Sequence, residues 1–352
     1  MLRHELFKKL AKVNKDDRIL LLTHDDADGA GAEIVLRCMF PKKNIEVVHL
    51  NNGVMSKRIK EGLTDTAIAE RFNKVIACDI SCNEADAEYI YGLSDISSRF
   101  ILLDHHLTSQ YVNKYSWGIS FSDMIWDSFL VDYYTKPENG HCSGTSLMLD
   151  YMYYCGIDFL PCADARAIEK LCFRISAYDT WDWKACFNGK QNFKDENLLF
   201  AAYGNNGYVE TRMEQFDTSV SNISVDAAIL SYEKQKRTAH IESIKDQIKF
   251  GTMDTVLKNG RIKIYDIAYI DDSKYIFDVL DYMRDTYPER DLFIVNYGNG
   301  VSIRSDKEDI NVAEIVKQFG GGGHKGAGGF KFEKRDIYNL FEKTTGSNLI
   351  LI

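Results

Sequence analysis

The 352-residue chain holds eight cysteines but no C-x-x-C pair and no even framework spacing. That lack argues against a zinc ribbon or a disulfide scaffold and leaves free thiols in a reducing compartment. Proline is scarce, at four residues, and no Gly/Ser-rich or Gln-rich tract occurs. Nothing therefore reads as a long disordered linker. No apolar run approaches the ~20 residues needed to span a bilayer. The N-terminal MLRHELFKKLAKVNKDD alternates apolar and charged residues and lacks the unbroken apolar stretch of a signal peptide. The expectation is a soluble cytoplasmic protein with no membrane partner. Positive charge is also in deficit: 43 Lys+Arg against 52 Asp+Glu leave a net charge of −9. A protein that grips long nucleic acid carries a broad basic surface. The balance therefore speaks against long nucleic acid as a partner, but not against a small phosphorylated substrate held through metal ions.

At this length one hydrophobic core rarely suffices, so two domains are expected. All the cysteines and tryptophans precede residue 187, a composition shift that suggests a domain change afterwards. From Ile223 to about Gly251 apolar residues recur at helical spacing among charges, which predicts a connecting helix. Three short runs, Ile19 to Thr23, Val75 to Cys78 and Phe100 to Leu103, read as buried parallel strands. Helical stretches such as Ala30 to Phe40 and Ser143 to Tyr154 alternate with them. After residue 250 the pattern continues with strands at Ile262 to Tyr265, Leu292 to Val295 and Val301 to Arg304, a helix from Val312 to Phe319 and a glycine cluster. The fold class is thus α/β, with an N-terminal doubly wound, mainly parallel sheet over 1–215, a helical linker over 216–250 and a smaller α/β domain over 251–352.

Each of the three N-terminal runs ends in residues able to bind metal. His24, Asp26 and Asp28 follow the first, Asp79 the second, and Asp104, His105 and His106 the third. In an open parallel sheet, ligands bind outside the carboxyl ends of the strands, so these residues should meet in one crevice. Carboxylates forced together repel unless a cation offsets them. Oxygen ligands with a few imidazoles suit Mn²⁺ or Mg²⁺ rather than zinc. More carboxylates than one ion needs suggest two ions, ~3.5–4 Å apart, that activate a water for phosphoryl displacement.

The segments Asp26-Ala-Asp28-Gly, Cys-Asp79-Ile, Leu-Asp104-His105-His106 and Gly320-Gly-Gly-Gly-His324 together resemble the signature set of the DHH phosphoesterase superfamily, in the subgroup with a C-terminal DHHA1 domain. The spacing from His24 to Asp28 and the Ala-Tyr-Asp179-Thr-Trp segment most resemble the nano-RNase, or oligoribonuclease, type. The likeness spans nearly the whole chain. It implies Asp26 and Asp28 as paired ligands, Asp79 as the carboxylate shared by both ions, His105 and His24 as imidazole ligands, and Asp179 as the ligand of a fourth motif. Many members of the superfamily place the first histidine four residues before the first aspartate; here His24 lies two before Asp26. The resemblance also implies that His106 faces the scissile phosphate and that Asp104 orients the histidine pair. Asp25 and Asp182 lie close by in sequence. Trp181 and Trp183 mark Asp182 as part of a structural aromatic segment.

The stretch from Phe319 to Phe330 follows a helix, contains His324 and Lys325 and runs into an apolar strand, which fits a substrate loop better than a hinge. Glycines let backbone approach a ligand, and successive N–H groups make an anion nest. The resemblance implies substrate contacts from Gly321, Gly322, Gly323 and His324, and a phosphate contact from Arg304, whose guanidinium suits bidentate binding. Lys325 could add charge or simply be solvated. His4, His49, His141 and His240 have no such context and read as ordinary surface or core residues, and Ser143 to Ser146 read as caps.

The expected activity is that of a metal-dependent phosphodiesterase that hydrolyses very short oligonucleotides to nucleoside monophosphates, using two Mn²⁺ ions, with Mg²⁺ as the alternative. Linear or cyclic dinucleotides, cyclic mononucleotides and 3′-phosphoadenosine 5′-phosphate remain alternative substrates. A long single-strand DNA exonuclease and a non-catalytic nucleotide-binding module are weaker readings. The C-terminal Asn-Leu-Ile-Leu-Ile suits either an edge strand in a homodimer or part of the second core.

Overall fold

A computed structural model describes residues 3–51, 53–122, 141–185, 192–218, 225–256, 262–332 and 349–351. It divides into two compact units, Met1–Leu230 and Ser231–Ile352. The chain passes from one to the other within a helix, Asp226–Ile244.

The first unit is built on five parallel strands: β1 (Ile19–His24), β2 (Ile45–Leu50), β3 (Lys74–Cys78), β4 (Phe100–Asp104) and β5 (Gly118–Ser120). Their order is β2-β1-β3-β4-β5. Because side chains alternate across a strand, each apolar run feeds two cores. Ile19, Leu21, Ile76, Ile101 and Leu103 pack on one face with helices Ala27–Met39, Gly144–Tyr154 and Ala165–Asp179. Leu20, Leu22, Val75, Ala77 and Leu102 pack on the other with Ile59, Leu63, Ala87, Ile90 and Trp117. The expected α/β, doubly wound class is what the structure shows. In this strand order the direction of winding reverses between β1 and β3, which opens a crevice at their carboxyl ends. Sequence reading finds β1, β3 and β4 but not β2 or β5. β2 is a half-buried edge strand and β5 spans only Gly118–Ser120, so neither displays a long apolar run.

The second unit carries a mixed sheet of β6 (Lys249–Val256), β7 (Ile262–Asp271), β8 (Leu292–Asn296), β9 (Gly300–Arg304), β10 (Gly322–His324), β11 (Ala327–Lys331) and β12 (Leu349–Leu351), in the order β10-β11-β9-β8-β7-β6-β12. Only β7 and β8 run parallel among these pairs. Helix Val312–Lys317 covers one face and helix Ile276–Thr286 the other. The C-terminal strand β12 pairs with β6 of its own chain.

Two expectations shift. The helical pattern read through Gly251 ends at Ile244, and β6 starts at Lys249, because Lys249–Val256 finds a full antiparallel ladder against β7. The glycine cluster, read as a loop, is a hairpin of β10 and β11 docked on β9. Glycine is needed there for closeness: a Cβ on Gly323 would lie 2.3 Å from the Ala327 carbonyl, at a φ of 151°.

Candidate metal centre

Each histidine or aspartate of the cluster is placed by the end of a strand or helix. His24 closes β1. Asp26 caps the following helix, its Oδ1 accepting from Gly29 N at 2.9 Å while its Oδ2 lies 2.5 Å from His24 Nδ1. Asp28, in the first helical turn, is buried and accepts the N–H groups of Gly144 (2.6 Å) and Thr145 (2.9 Å). Those donors open the Gly144–Tyr154 helix, whose cap is Ser143, paired reciprocally with Ser146. Asp79 follows β3 with a φ of 59°, a left-handed conformation that aspartate tolerates better than most residues. β4 ends at Asp104, whose Oδ1 accepts from His105 N at 2.8 Å and lies 2.8 Å from His106 Nδ1. Asp179 is the last residue of its helix.

The fold brings these side chains together. His105 Nε2 lies 3.1 Å from Asp79 Oδ1, 3.5 Å from Asp179 Oδ2 and 3.8 Å from Asp28 Oδ2. His24 Nδ1 is 3.9 Å from the other Asp79 oxygen. Among the described residues, ligating atoms therefore gather as His24–Asp26–Asp79, as Asp28–His105–Asp179 and as Asp79–Asp104–His105–His106, each within 4.8 Å. Asp79 reaches both histidine-bearing sides. Gly144 permits this crowding, since a Cβ there would stand 2.4 Å from Asp79 Cβ.

The electrostatics favour a bound cation. Burial, then the charges of Asp28, Asp26, Asp179 and Asp104, push Asp79 well above the ordinary carboxylate range. Burial and the charges of Asp28 and Asp26 do the same to Asp179. Asp79 Oδ2 and Asp179 Oδ2 are both buried without a hydrogen-bond partner. Buried carboxylate oxygens without donors are costly in a protein interior and are the atoms a hard divalent cation takes. The donor set thus fits a divalent metal. Burial, then the charge of His106, hold His105 down to about 4, so its imidazole is neutral and able to ligate. Burial opposes charge on His106 as well, but Asp104 outweighs it and raises His106 to about 9. The pair is thereby split into one neutral and one positive ring.

Other residues of the sequence reading fall elsewhere. Asp25 accepts from Asn205 Nδ2 at 2.9 Å and stands outside the three groups. Asp182 is buried and holds His141, at 2.7 Å from both the backbone N and Nδ1. His240 pairs with Asp272 at 2.6 Å. His49 is less ordinary than its sequence context suggested. Its Nδ1 lies 2.9 Å from the His24 carbonyl and its Nε2 lies 2.6 Å from Glu33, so it braces the end of β1. Sequence reasoning missed this and the Gly144–Thr145 donors; a glycine at the first helical position was the available signal for the latter.

In the second unit, Arg304 ends β9, is buried and donates to Ser302 Oγ (3.1 Å) and the Ile303 carbonyl (2.9 Å). Its guanidinium lies 5.3 Å from the Phe277 ring. Ala327 pairs with Arg304 on one side and His324 on the other, which sets these two residues in one row across three strands.

An acidic and imidazole cluster at the switch point of a doubly wound sheet is placed where such folds bind ligands, and its donors suit a divalent metal. No family model matches the chain. It is 22% identical over 324 residues to Oligoribonuclease NrnB of Bacillus subtilis strain 168, covering 91% of this chain and 74% of that protein. Solved structures similar to it include RecJ of Thermus thermophilus in complex with Mn²⁺, with a TM-score of 0.49 and 15% identity over 94% of this chain and 51% of that one. The pGpG-specific phosphodiesterase PggH of Vibrio cholerae aligns with a TM-score of 0.45 and 12% identity over 92% of this chain and 96% of that one. In the order of its motifs and in this sequence relationship over most of its length, the chain is similar to the DHH/DHHA1 phosphoesterase superfamily, nano-RNase type.

Proposed function

We propose that the protein is a divalent-metal phosphodiesterase that hydrolyses very short oligonucleotides to nucleoside monophosphates. The observation that carries this reading is the cluster in which Asp79 reaches two histidine-bearing groups while its Oδ2 stays buried and unpaired. His24, Asp26 and Asp79 would hold one ion, and Asp28, His105 and Asp179 the second, with Asp79 serving both. Manganese is the proposed native metal and magnesium the alternative. Two bound divalent ions supply a water of lowered pKa and offset charge on a phosphoryl group.

The chain's own residues do the rest. Gly144 N and Thr145 N fix Asp28, and the Asp26 cap fixes the first turn, so the ligands are held before metal arrives. His106, kept protonated beside Asp104, offers a charged N–H to a phosphoryl oxygen. Arg304, with the backbone of Gly321 to Gly323 and His324, would grip a second phosphate. The likeness to an oligoribonuclease over 91% of the chain supports short RNA as substrate, and the net charge of −9 disfavours long strands.

The test is to incubate the protein with Mn²⁺ and a 5′-labelled dinucleotide, pentanucleotide and long single strand of RNA, and to follow product size. Mononucleotide release confined to the two short substrates is expected. Preferential degradation of the long strand would overturn the substrate assignment.

A further inference from the structure

Asp25 lies between His24 and Asp26 but takes no part in the metal groups. It borders a cavity of about 590 Å³ whose other walls are Val47 to His49 and Tyr203 to Gly207. All of these residues belong to the first unit.

The cavity runs along an exposed sheet edge. Among the described residues β2 is the outermost strand, paired only with β1. The Leu50 carbonyl accepts from Asp25 N at 3.2 Å, which turns the peptide groups of Leu50 and Val48 inward to β1. Peptide groups alternate sides along a strand, so Val47 and His49 present theirs outward, toward the cavity.

The opposite wall is a helical segment, Asn192–Phe216, broken at Gly204 with a φ of 68°. A Cβ on Gly204 would meet nothing within 4 Å. Asn205 donates its amide N–H to Asp25, and its Oδ1 is buried without a hydrogen-bond partner. Asn206 is exposed. The cavity therefore offers backbone donors and acceptors on one side and the exposed primary amide of Asn206 on the other.

That arrangement selects among ligands. A phosphate would meet the carboxylate of Asp25. An added peptide strand would run along the whole of β2, Ile45–Leu50, rather than occupy the three residues that line the cavity. A flat heterocycle with donors and acceptors mixed along one edge satisfies both walls. We infer that this cavity is a nucleobase subsite, seating the base of the nucleotide whose phosphate sits at the metal cluster, with Asn206 reading the base edge and Asn205 fixing the wall through Asp25. The inference rests on the oligonucleotide reading proposed above, and Asp25 is one residue from two of the proposed ligands, ~3.8 Å along the chain.

Titration calorimetry with adenosine and guanosine 5′-monophosphates, in the presence of Mn²⁺ and against ribose 5-phosphate, tests it. Gly207→Phe should fill the cavity, since the Cβ of residue 207 has only an ordinary contact, 3.5 Å to Tyr203 Cβ. Both nucleotides should bind the unaltered protein more tightly than ribose 5-phosphate. Gly207→Phe should lower their affinity about tenfold or more and Asn206→Ala several-fold, with ribose 5-phosphate unaffected. Equal affinity for nucleotides and ribose 5-phosphate would overturn the subsite, as would unchanged nucleotide affinity in a folded Gly207→Phe. If that variant does not fold, the exposed Asn206→Ala decides. Cleavage of bis(p-nitrophenyl) phosphate by the unaltered protein separates the two readings. Base-dependent binding without any such cleavage would sink the phosphodiesterase proposal, whereas cleavage without base-dependent binding would sink the subsite.

Discussion

Among single residues, the aspartates of the cluster store repulsion that a bound cation would relieve. Asp79 is raised by burial and by four neighbouring carboxylates, so replacing it with a neutral amide of the same shape should relax the metal-free protein. Asp79→Asn suits the φ of 59°, which asparagine also tolerates. The expected outcome is loss of turnover together with a metal-free melting temperature raised by roughly 2–4 °C, for about 1 kcal/mol at this size. A lower melting temperature would show that Asp79 is a structural rather than a metal-directed carboxylate. Arg304→Ala should raise KM about tenfold or more and leave kcat within a few-fold, as expected for lost substrate grip. Steady-state kinetics on a dinucleotide would reveal the opposite split. His49 gives a pH signature. Burial opposes its charge, but Glu33 and the His24 carbonyl outweigh burial and raise it above 6.5. Its stabilising pair is therefore complete below pH 6.5 and is lost as pH rises through the raised value. Urea midpoints of the protein and of His49→Gln should differ most in mild acid and converge in alkali. A gap that widens with pH would refute the ion pair.

Among elements, the geometry of the acidic cluster depends on how closely the Gly144–Tyr154 helix approaches β3. The contact between Gly144 and Asp79 leaves no room for a methyl group, because a Cβ would sit 2.4 Å from Asp79 Cβ. The same helix start supplies both N–H groups to Asp28. Gly144→Ala should therefore cost about 1–3 kcal/mol in stability, the usual range for overpacking. It should also reduce turnover out of proportion to that loss, because a displaced Asp28 and Asp79 no longer share one geometry. Chemical denaturation and initial rates measured on the same preparation check both parts. The hairpin β10–β11 works by a similar rule, with glycine allowing two strands and a carbonyl to come within a distance no side chain permits.

For the chain as a whole, the proposed ligands come from separate strand and helix ends, which would make metal binding a property of the folded state. An ion that binds only the folded state stabilises it by mass action, about 2.7 kcal/mol at a hundredfold excess over Kd. After dialysis against a chelator, added Mn²⁺ should restore activity and raise the melting temperature with concentration. A melting temperature indifferent to Mn²⁺, Mg²⁺ and chelator would remove the metal centre from the account. Among the described residues, no helix is long and apolar enough to cross a membrane.

Much of the chemistry was legible in the linear chain because it is local. Short apolar runs ending in Asp or His show both a buried strand and the candidate ligands at its end, so β1, β3, β4 and the grouping of Asp26, Asp79, Asp104 and His105 at strand ends follow from adjacent residues alone. The resemblance placed Asp179 as well. Contacts across long loops were not legible. Asp28 receives its two N–H groups from residues more than a hundred positions away, and no local pattern marks that pairing. The left-handed turn at Asp79, the brace of His49 under His24 and the strand order that puts the crevice between β1 and β3 were likewise settled only in three dimensions. So were the edge strands β2 and β5, half-exposed or too short to carry an apolar signature, and the folding of the glycine cluster into a hairpin. Which residues can bind metal, and which segments form the centre of the first sheet, could be read from the linear order, because composition and period are properties of neighbours. Which of those residues meet could not, because that depends on strand order and on the few positions where glycine lets two elements touch.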